Sequence, residues 1–88
     1  MKKKRRVYTV IELLNMSCAR KKNLYITQIP MMHPRLRGLL HTQGCEQVID
    51  ILRLGREQFA KCRNVGPMML DELDTEIALL GFTGLMKA

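Results

Sequence analysis

The fold is decided by residues 59–80, which read FAKCRNVGPMMLDELDTEIALL. The hydrophobic residues of its second half recur at intervals of three and four: Leu70, Leu73, Ile77 and Leu80. This spacing predicts a helix with one buried face. Pro67 suits the first turn of that helix, because the amide hydrogen that proline lacks would have no partner there. Asn64-Val65-Gly66 directly before it predicts a tight turn, so the stretch predicts a helix-hairpin-helix.

Three shorter helices are predicted before the turn. The first begins at Pro34 and ends at Gly44, the second spans residues 46–52, and the third spans residues 56–62 around Phe59. Their other inward-facing residues are predicted to be Leu36, Leu39, Leu40, Val48, Ile49 and Leu52. The pattern predicts an all-α fold, a compact four- to five-helix domain with a C-terminal helix-hairpin-helix, preceded by a basic N-terminal segment.

The chain divides into two parts by its pattern. Residues 1–32 form a basic N-terminal arm with a short helix and a linker, and residues 33–84 form the helical domain. Within the domain, Gly44 and Gly81 are predicted to end helices in the left-handed conformation that glycine adopts readily. The residues that follow them, Cys45 and Phe82, are expected to pack back onto the core.

Residues 7–32 allow more than one interpretation. Residues 7–16 are typical of a short amphipathic helix, since Thr9 and Glu12 have the spacing of a capping box. A β-strand over residues 7–11 is the alternative, because Val, Tyr, Thr, Val and Ile follow one another. Residues 19–32 look irregular, with an extended segment from Asn23 to Gln28. Packing against the domain and partial disorder both stay open for this region.

Charge is distributed unevenly along the chain, whose net charge is +7. The first 44 residues contain ten lysines and arginines and one acid, whereas the last 44 contain five and seven respectively. Residues 2–6 are five consecutive cations. Such a basic half indicates a polyanion as partner, because neutralising phosphates releases bound counterions. The alternative is a solvated tail that only aids solubility.

Several classes of function are excluded by the residues. The chain has no nucleophile motif, no phosphate-loop lysine and no carboxylate pair in apolar surroundings, so we expect no enzyme and no cofactor. Cys18, Cys45 and Cys62 are too few and too widely spaced for a disulfide framework, which favours reduced thiols in the cytoplasm. Cys18, His33, His41 and Cys45 lack a Cys-x2-Cys knuckle, so we expect no metal. No apolar run approaches the length of a membrane span.

The predicted hairpin has a specific physical use. Its turn exposes backbone amides beside a helix N-terminus, and this arrangement attracts phosphate. Gly66 allows the backbone of a ligand to approach closely, while Val65 fills the angle between the two helices. A helix-hairpin-helix therefore grips the nucleic-acid backbone without reading its sequence.

These motifs in series resemble the C-terminal domain of the bacterial RNA polymerase α subunit. The resemblance covers roughly residues 33 to 84, and its spacing holds over four helices without a gap. It is carried by Arg35, Leu40, Gly44, residues 48–52, Leu54-Gly55-Arg56-Glu57, Asn64-Val65-Gly66, residues 70–80 and Gly81-Phe82.

The resemblance implies a function in transcription. Domains of that family bind the minor groove of A/T-rich promoter DNA and also contact transcription activators. By position, Arg35 matches the arginine inserted into the groove, and Gly66 matches the glycine whose amide meets a phosphate. We therefore expect duplex DNA as the partner. The candidate contacts are Arg35, Arg37, Lys61, Arg63, Asn64, Gly66, Lys3, Lys4, Arg5 and Arg6.

The chain departs from the family pattern at two places. The asparagine of the first helix falls at Gly38, and the Lys-Ser pair after the hairpin glycine falls at Met68-Met69. Two replacements for the lost charge are available: Arg37, Lys61 and Arg63 near the hairpin, and phosphate contacts by the N-terminal cations.

The departures support an alternative function. Met68 and Met69 are expected to be exposed and to form an apolar surface that suits a protein partner. The alternative is therefore an interaction module that docks on RNA polymerase or a transcription factor without specific DNA contact. RNA or single-stranded DNA is a weaker alternative, because only two Tyr and two Phe are available for stacking. The acids expected to be solvent-exposed on the last helix are Asp71, Glu72, Asp74 and Glu76.

Overall fold

The computed structural model describes residues 6–30 and 32–82. Over these residues the protein contains six α-helices, one short 3₁₀ helix and no strands. The helices are α1 (Val10–Leu14), α2 (Cys18–Lys22), α3 (Pro34–Thr42), α4 (Val48–Leu54), α5 (Arg56–Ala60) and α6 (Pro67–Leu79), and the 3₁₀ helix is Ile26–Gln28. The predicted compact all-helical architecture is confirmed. No helix within the described ranges is long and apolar enough to cross a membrane.

The described residues form six α-helices, where four to five are predicted. The additional helix is α2, in a region that the sequence predicts to be irregular. Ser17 begins it, since the Ser17 hydroxyl accepts a hydrogen bond of 3.2 Å from the Arg20 amide. A helix of five residues is too short to show a hydrophobic period, so this cap is its main sequence signal.

The first helix begins as its capping box predicts. The Glu12 amide donates to the Thr9 hydroxyl over 3.2 Å, and the Thr9 amide donates to the Glu12 carboxylate over 3.1 Å. The helical interpretation of this segment is therefore confirmed, and the strand alternative is wrong. The extended segment predicted from Asn23 to Gln28 is wrong in its second half, which is the 3₁₀ helix.

The N-terminal region and the helical domain share one core. Leu13, Leu24, Ile26, Ile29 and Met32 are buried in the same hydrophobic cluster as the residues of α3 to α6. Of the two states left open for residues 7–32, packing against the domain is the one observed for the described part of this region.

Two glycines end helices as predicted. Gly44 and Gly81 have φ angles of 80° and 82°, in the left-handed region. The residues after them fold back: the Cys45 amide donates to the Leu40 carbonyl over 3.0 Å, and the Phe82 amide donates to the Ile77 carbonyl over 2.9 Å. Both residues are buried, as predicted.

A buried lysine joins the N-terminal region to the end of the last helix. Lys21 stands between two other basic residues in the sequence, Arg20 and Lys22, but it is only 7% exposed. Its ammonium donates a 2.6 Å hydrogen bond to the Leu80 carbonyl and lies 5.5 Å from the centroid of the Phe82 ring. A cation at this position gives the carbonyl at the helix end a hydrogen-bond donor and interacts favourably with the helix dipole.

Replacing the ammonium should destabilise the fold. Lys21→Met keeps the apolar stem but removes the donor, leaving the Leu80 carbonyl buried without its partner. We expect the free energy of unfolding to fall by about 1–3 kcal/mol in urea titrations. Lys22→Ala, on the same helix, is the matched control and should change it by less than about 0.5 kcal/mol. Equal effects of the two changes would contradict a specific role for Lys21.

Candidate nucleic-acid interface

A surface groove lies between the start of α3 and the hairpin turn. Nine residues line it: His33, Arg35, Asn64, Val65, Gly66, Pro67, Met68, Met69 and Glu72. We call this the hairpin groove. It brings together three of the residues that the sequence nominates as nucleic-acid contacts, Arg35, Asn64 and Gly66, from segments far apart in the chain.

The turn depends on Asn64 rather than on Gly66. Asn64 has a φ of 69°, and asparagine tolerates this left-handed region better than most residues. Gly66 has a φ of −104° and a ψ of −178°, which any residue adopts. A Cβ added at Gly66 would meet no other atom within 4 Å. The glycine therefore leaves open space at the groove instead of relieving backbone strain.

The N-terminus of α6 opens into this groove without a cap. No side chain accepts a hydrogen bond from its first turn. The Met69 and Leu70 amides both donate to the Gly66 carbonyl, over 3.1 and 3.2 Å. The amides of Gly66 and Met68 have no acceptor among the residues described. Free amides at the positive end of a helix of 13 residues are able to bind an anion.

Arg35 supplies the positive side chain of the groove. It is exposed in the first turn of α3, and within the described structure its guanidinium forms no ion pair. His33 caps this helix, since its Nδ1 accepts a 3.1 Å hydrogen bond from the Arg35 amide. Sequence reasoning missed His33 as a groove residue, and its position directly before Pro34 was the available signal.

Arg37 has a different environment from the one that the sequence suggests. It does not line the groove, and it is half-buried. Its guanidinium donates to the carbonyls of Ile29 and Met32 over 3.4 and 3.3 Å. These bonds connect α3 to the segment before it, so Arg37 stabilises the packing of that segment on α3.

The remaining nominated cations also lie outside the groove lining. Lys61 is exposed and pairs with Glu57 at 3.8 Å, and Arg63 is exposed beside the turn. Arg6 forms an ion pair with Glu12, and its guanidinium lies 5.0 Å from the centroid of the Tyr8 ring. The other three candidates, Lys3, Lys4 and Arg5, lie outside the described residues.

The two methionines of the hairpin differ in exposure. Met68 is 76% exposed, but Met69 is only 8% exposed, so the prediction of two exposed methionines is wrong for Met69. Met69 lies one helical turn before Leu73 and continues the buried face of α6. The apolar surface offered by this turn is therefore mainly that of Met68.

Glu72 is the acid of the groove. It is half-buried, and its Oε2 is buried without a hydrogen-bond partner. No cation of the described chain forms an ion pair with it. Sequence reasoning missed this residue, because the helical spacing alone does not show that Glu72 lines a groove with residues of α3.

Glu76 is a second acid whose expected exposure is wrong, since it is only 7% exposed. It faces a small apolar pocket that Val10, Leu13 and Leu79 help to line. Burial raises the pKa of its carboxyl, and the Glu72 carboxylate raises it further, while the Arg37 guanidinium opposes both effects. Acids on helices are normally solvated, so sequence offered no signal for this burial.

Neutralising Glu76 should stabilise the protein near neutral pH. Because the folded-state pKa is raised, folding is penalised when the buried carboxyl is ionised, and this penalty disappears as pH falls toward the ordinary pKa of 4.5. Glu76→Gln should therefore unfold at a higher urea concentration than the wild type at pH 7 and lose this advantage near pH 4.5. The exposed Glu46→Gln is the control. An advantage that does not vary with pH would contradict this explanation.

In the part of the chain that is described, no three potential metal ligands lie close together. The three cysteines are free thiols. Burial raises the pKa of Cys45 to about 11, so this residue is a neutral thiol in the core.

Comparisons with known proteins return no relative. No protein-family model, no curated protein and no solved structure matches the chain. The resemblance to the polymerase α C-terminal domain therefore stays a prediction, and the hairpin groove is interpreted from its own geometry.

Proposed function

We propose that this protein is a transcription-related accessory module that binds duplex DNA through the hairpin groove. The observation that supports the proposal best is that the Arg35 side chain and the uncapped N-terminus of α6 line the same groove. A guanidinium and free backbone amides are both donors, and phosphate and base-edge acceptors are their natural partners.

The space at Gly66 adds to this support. A phosphate must come close to the backbone to reach the amides of Gly66 and Met68, and no Cβ blocks its way. Mutation to alanine would place a methyl group at the opening, although the fold itself has room for it. An alanine variant therefore tests the binding role of Gly66 separately from its structural role.

Minor-groove contact is favoured over insertion of a helix into the major groove. The exposed part of α6 near the groove carries Asp71 and Asp74, which phosphates on both sides of a major groove would repel. Arg35 projects from the first turn of α3, and a single arginine of this kind fits the narrow minor groove. Cations of the N-terminal half add backbone contacts independent of sequence.

Removing the groove donors should weaken DNA binding without unfolding the protein. Arg35→Ala should lower the affinity for a short duplex roughly tenfold, as measured by fluorescence anisotropy at a fixed salt concentration. The slope of log affinity against log salt should become less steep, because one cation no longer displaces counterions. Arg63→Ala, outside the groove, should have a smaller effect on affinity.

Blocking the amides tests the same groove by a steric route. Gly66→Ala should reduce the affinity by roughly tenfold, the size expected for losing a hydrogen bond to a charged group. Gly38→Ala is the matched control, because a Cβ there also meets nothing within 4 Å. It should leave binding unchanged and raise helix stability by up to about 1 kcal/mol. Binding that survives both Arg35→Ala and Gly66→Ala would overturn the proposal.

A protein-interaction module is the second candidate. It is favoured by the exposed Met68 and by exposed apolar residues on α1, Ile11 and Leu14. Such side chains cost little to desolvate and suit a protein surface. This candidate, docking on RNA polymerase or a transcription factor, would gain support if DNA bound only through cations outside the groove.

A further inference from the structure

His33 places a hydrogen-bond donor at the hairpin groove in addition to those of Arg35 and α6. The residue lines the groove and is exposed. Its Nδ1 accepts a 3.1 Å hydrogen bond from the Arg35 amide at the start of α3. Because a backbone amide can only donate, Nδ1 carries no hydrogen in this arrangement, and the hydrogen of the neutral imidazole is on Nε2. The cap therefore fixes the tautomer of the ring.

The Nε2–H group of His33 is unused within the fold. It donates to no acceptor among the residues described. Glu72, the acid of the same groove, forms no ion pair with it. A ring whose position and tautomer are already set loses little freedom when it binds a ligand. His33 therefore offers a preorganised donor to a ligand in the groove.

The choice of histidine as a cap supports a role beyond starting the helix. Short oxygen-bearing side chains are the usual N-caps, and the same chain uses Thr9 for α1 and Ser17 for α2. At α3 the cap is an imidazole, whose ring extends past the capping atom to a second nitrogen. One side chain thus both caps α3 and offers a donor at the groove.

The donors that line the groove differ in charge. The Arg35 guanidinium is a cation, whereas the Gly66 and Met68 amides and the His33 Nε2–H group are neutral. A phosphate has only acceptor oxygens, so it is able to accept from several of these donors at once. A neutral donor adds a hydrogen bond but displaces no counterion from the DNA.

We propose that His33 is a DNA-contact residue of the hairpin groove, whose neutral imidazole donates from Nε2 to a phosphate oxygen while Nδ1 caps α3. The inference rests on the proposed binding of duplex DNA through this groove. It adds an uncharged side chain to the phosphate contacts, which a search for lysines and arginines overlooks.

The test replaces the hydrogen on Nε2 and keeps the cap. Nε2-methylhistidine at position 33 of the whole chain retains the Nδ1 acceptor, so urea unfolding should match that of the wild type. Its affinity for a short duplex should fall roughly tenfold in fluorescence anisotropy, the size expected for losing a hydrogen bond to a charged group. The measurement is made at about pH 8, where histidine side chains are neutral.

Two further variants separate the lost donor from added bulk. His33→Thr keeps a capping oxygen without a bulky ring, and it should weaken binding by a similar factor without lowering the urea midpoint. Nε2-methylhistidine in place of His41, which is exposed in the last turn of α3 and outside the groove lining, is the matched control. It should leave both affinity and stability unchanged.

Salt dependence distinguishes a neutral donor from a charged one. Arg35→Ala should reduce the slope of log affinity against log salt by roughly one, because one cation no longer neutralises a phosphate. His33→Thr should lower the affinity at every salt concentration and leave the slope as in the wild type.

The outcomes separate this inference from the proposed function. Wild-type affinity in the methylated protein, with binding still weakened by Arg35→Ala, would overturn the role of His33 and leave the proposed function intact. A slope reduced as much by His33→Thr as by Arg35→Ala would also overturn it. Binding that Arg35→Ala and Gly66→Ala leave unchanged would instead remove the proposed function itself.

Discussion

Packing of α6 against α3 and α5 is the interaction on which the rest of the structure depends. Leu73, Ile77 and Leu80 supply the buried face of α6, and Leu36 and Leu40 supply that of α3. Burial of large apolar side chains is the main stabilising term in a domain of this size. The same packing sets the N-terminus of α6 beside the first turn of α3. The hairpin groove is thus a direct product of the core.

The positive charge that the folded surface offers to a partner is smaller than the number of lysines and arginines in the sequence suggests. Arg6 is paired with Glu12, the Lys21 ammonium is buried against the Leu80 carbonyl, and Arg37 bonds two backbone carbonyls. Three cations of the basic first half of the sequence therefore have partners within the fold. Electrostatic attraction to a polyanion depends on exposed charges. Arg35 is exposed, so it contributes more to this attraction than one of 15 lysines and arginines would on average.

Much of the domain was predictable because its signals are local. The period of α6, the glycines at 44 and 81, and Phe59 as an anchor follow from patterns within a few residues of one another. The helix α2 was missed because five residues carry no period. The burial of Met69 and Glu76 was missed because it depends on how α6 is rotated against its neighbours. A one-residue shift in that rotation exchanges buried and exposed positions.

The site was predictable only in part, for the same reason. Arg35 was predicted through a family resemblance, and Asn64 and Gly66 were predicted from the hairpin pattern as well. The structure brings the three residues together. Glu72 and His33 join them only through tertiary packing, which no local pattern encodes. Their place in the groove therefore became visible only with the structure.

The start of α6 shows how stability and binding are separated in this fold. The left-handed conformation of the turn is carried by Asn64, so nothing in the backbone requires glycine two residues later. Serine or aspartate at position 66 would cap the helix and gain a few tenths of a kcal/mol over glycine, roughly. Their side chains would also occupy the amides that now face the groove. The chain forgoes a small gain in helix stability at a helix start whose free amides line the same groove as the exposed Arg35.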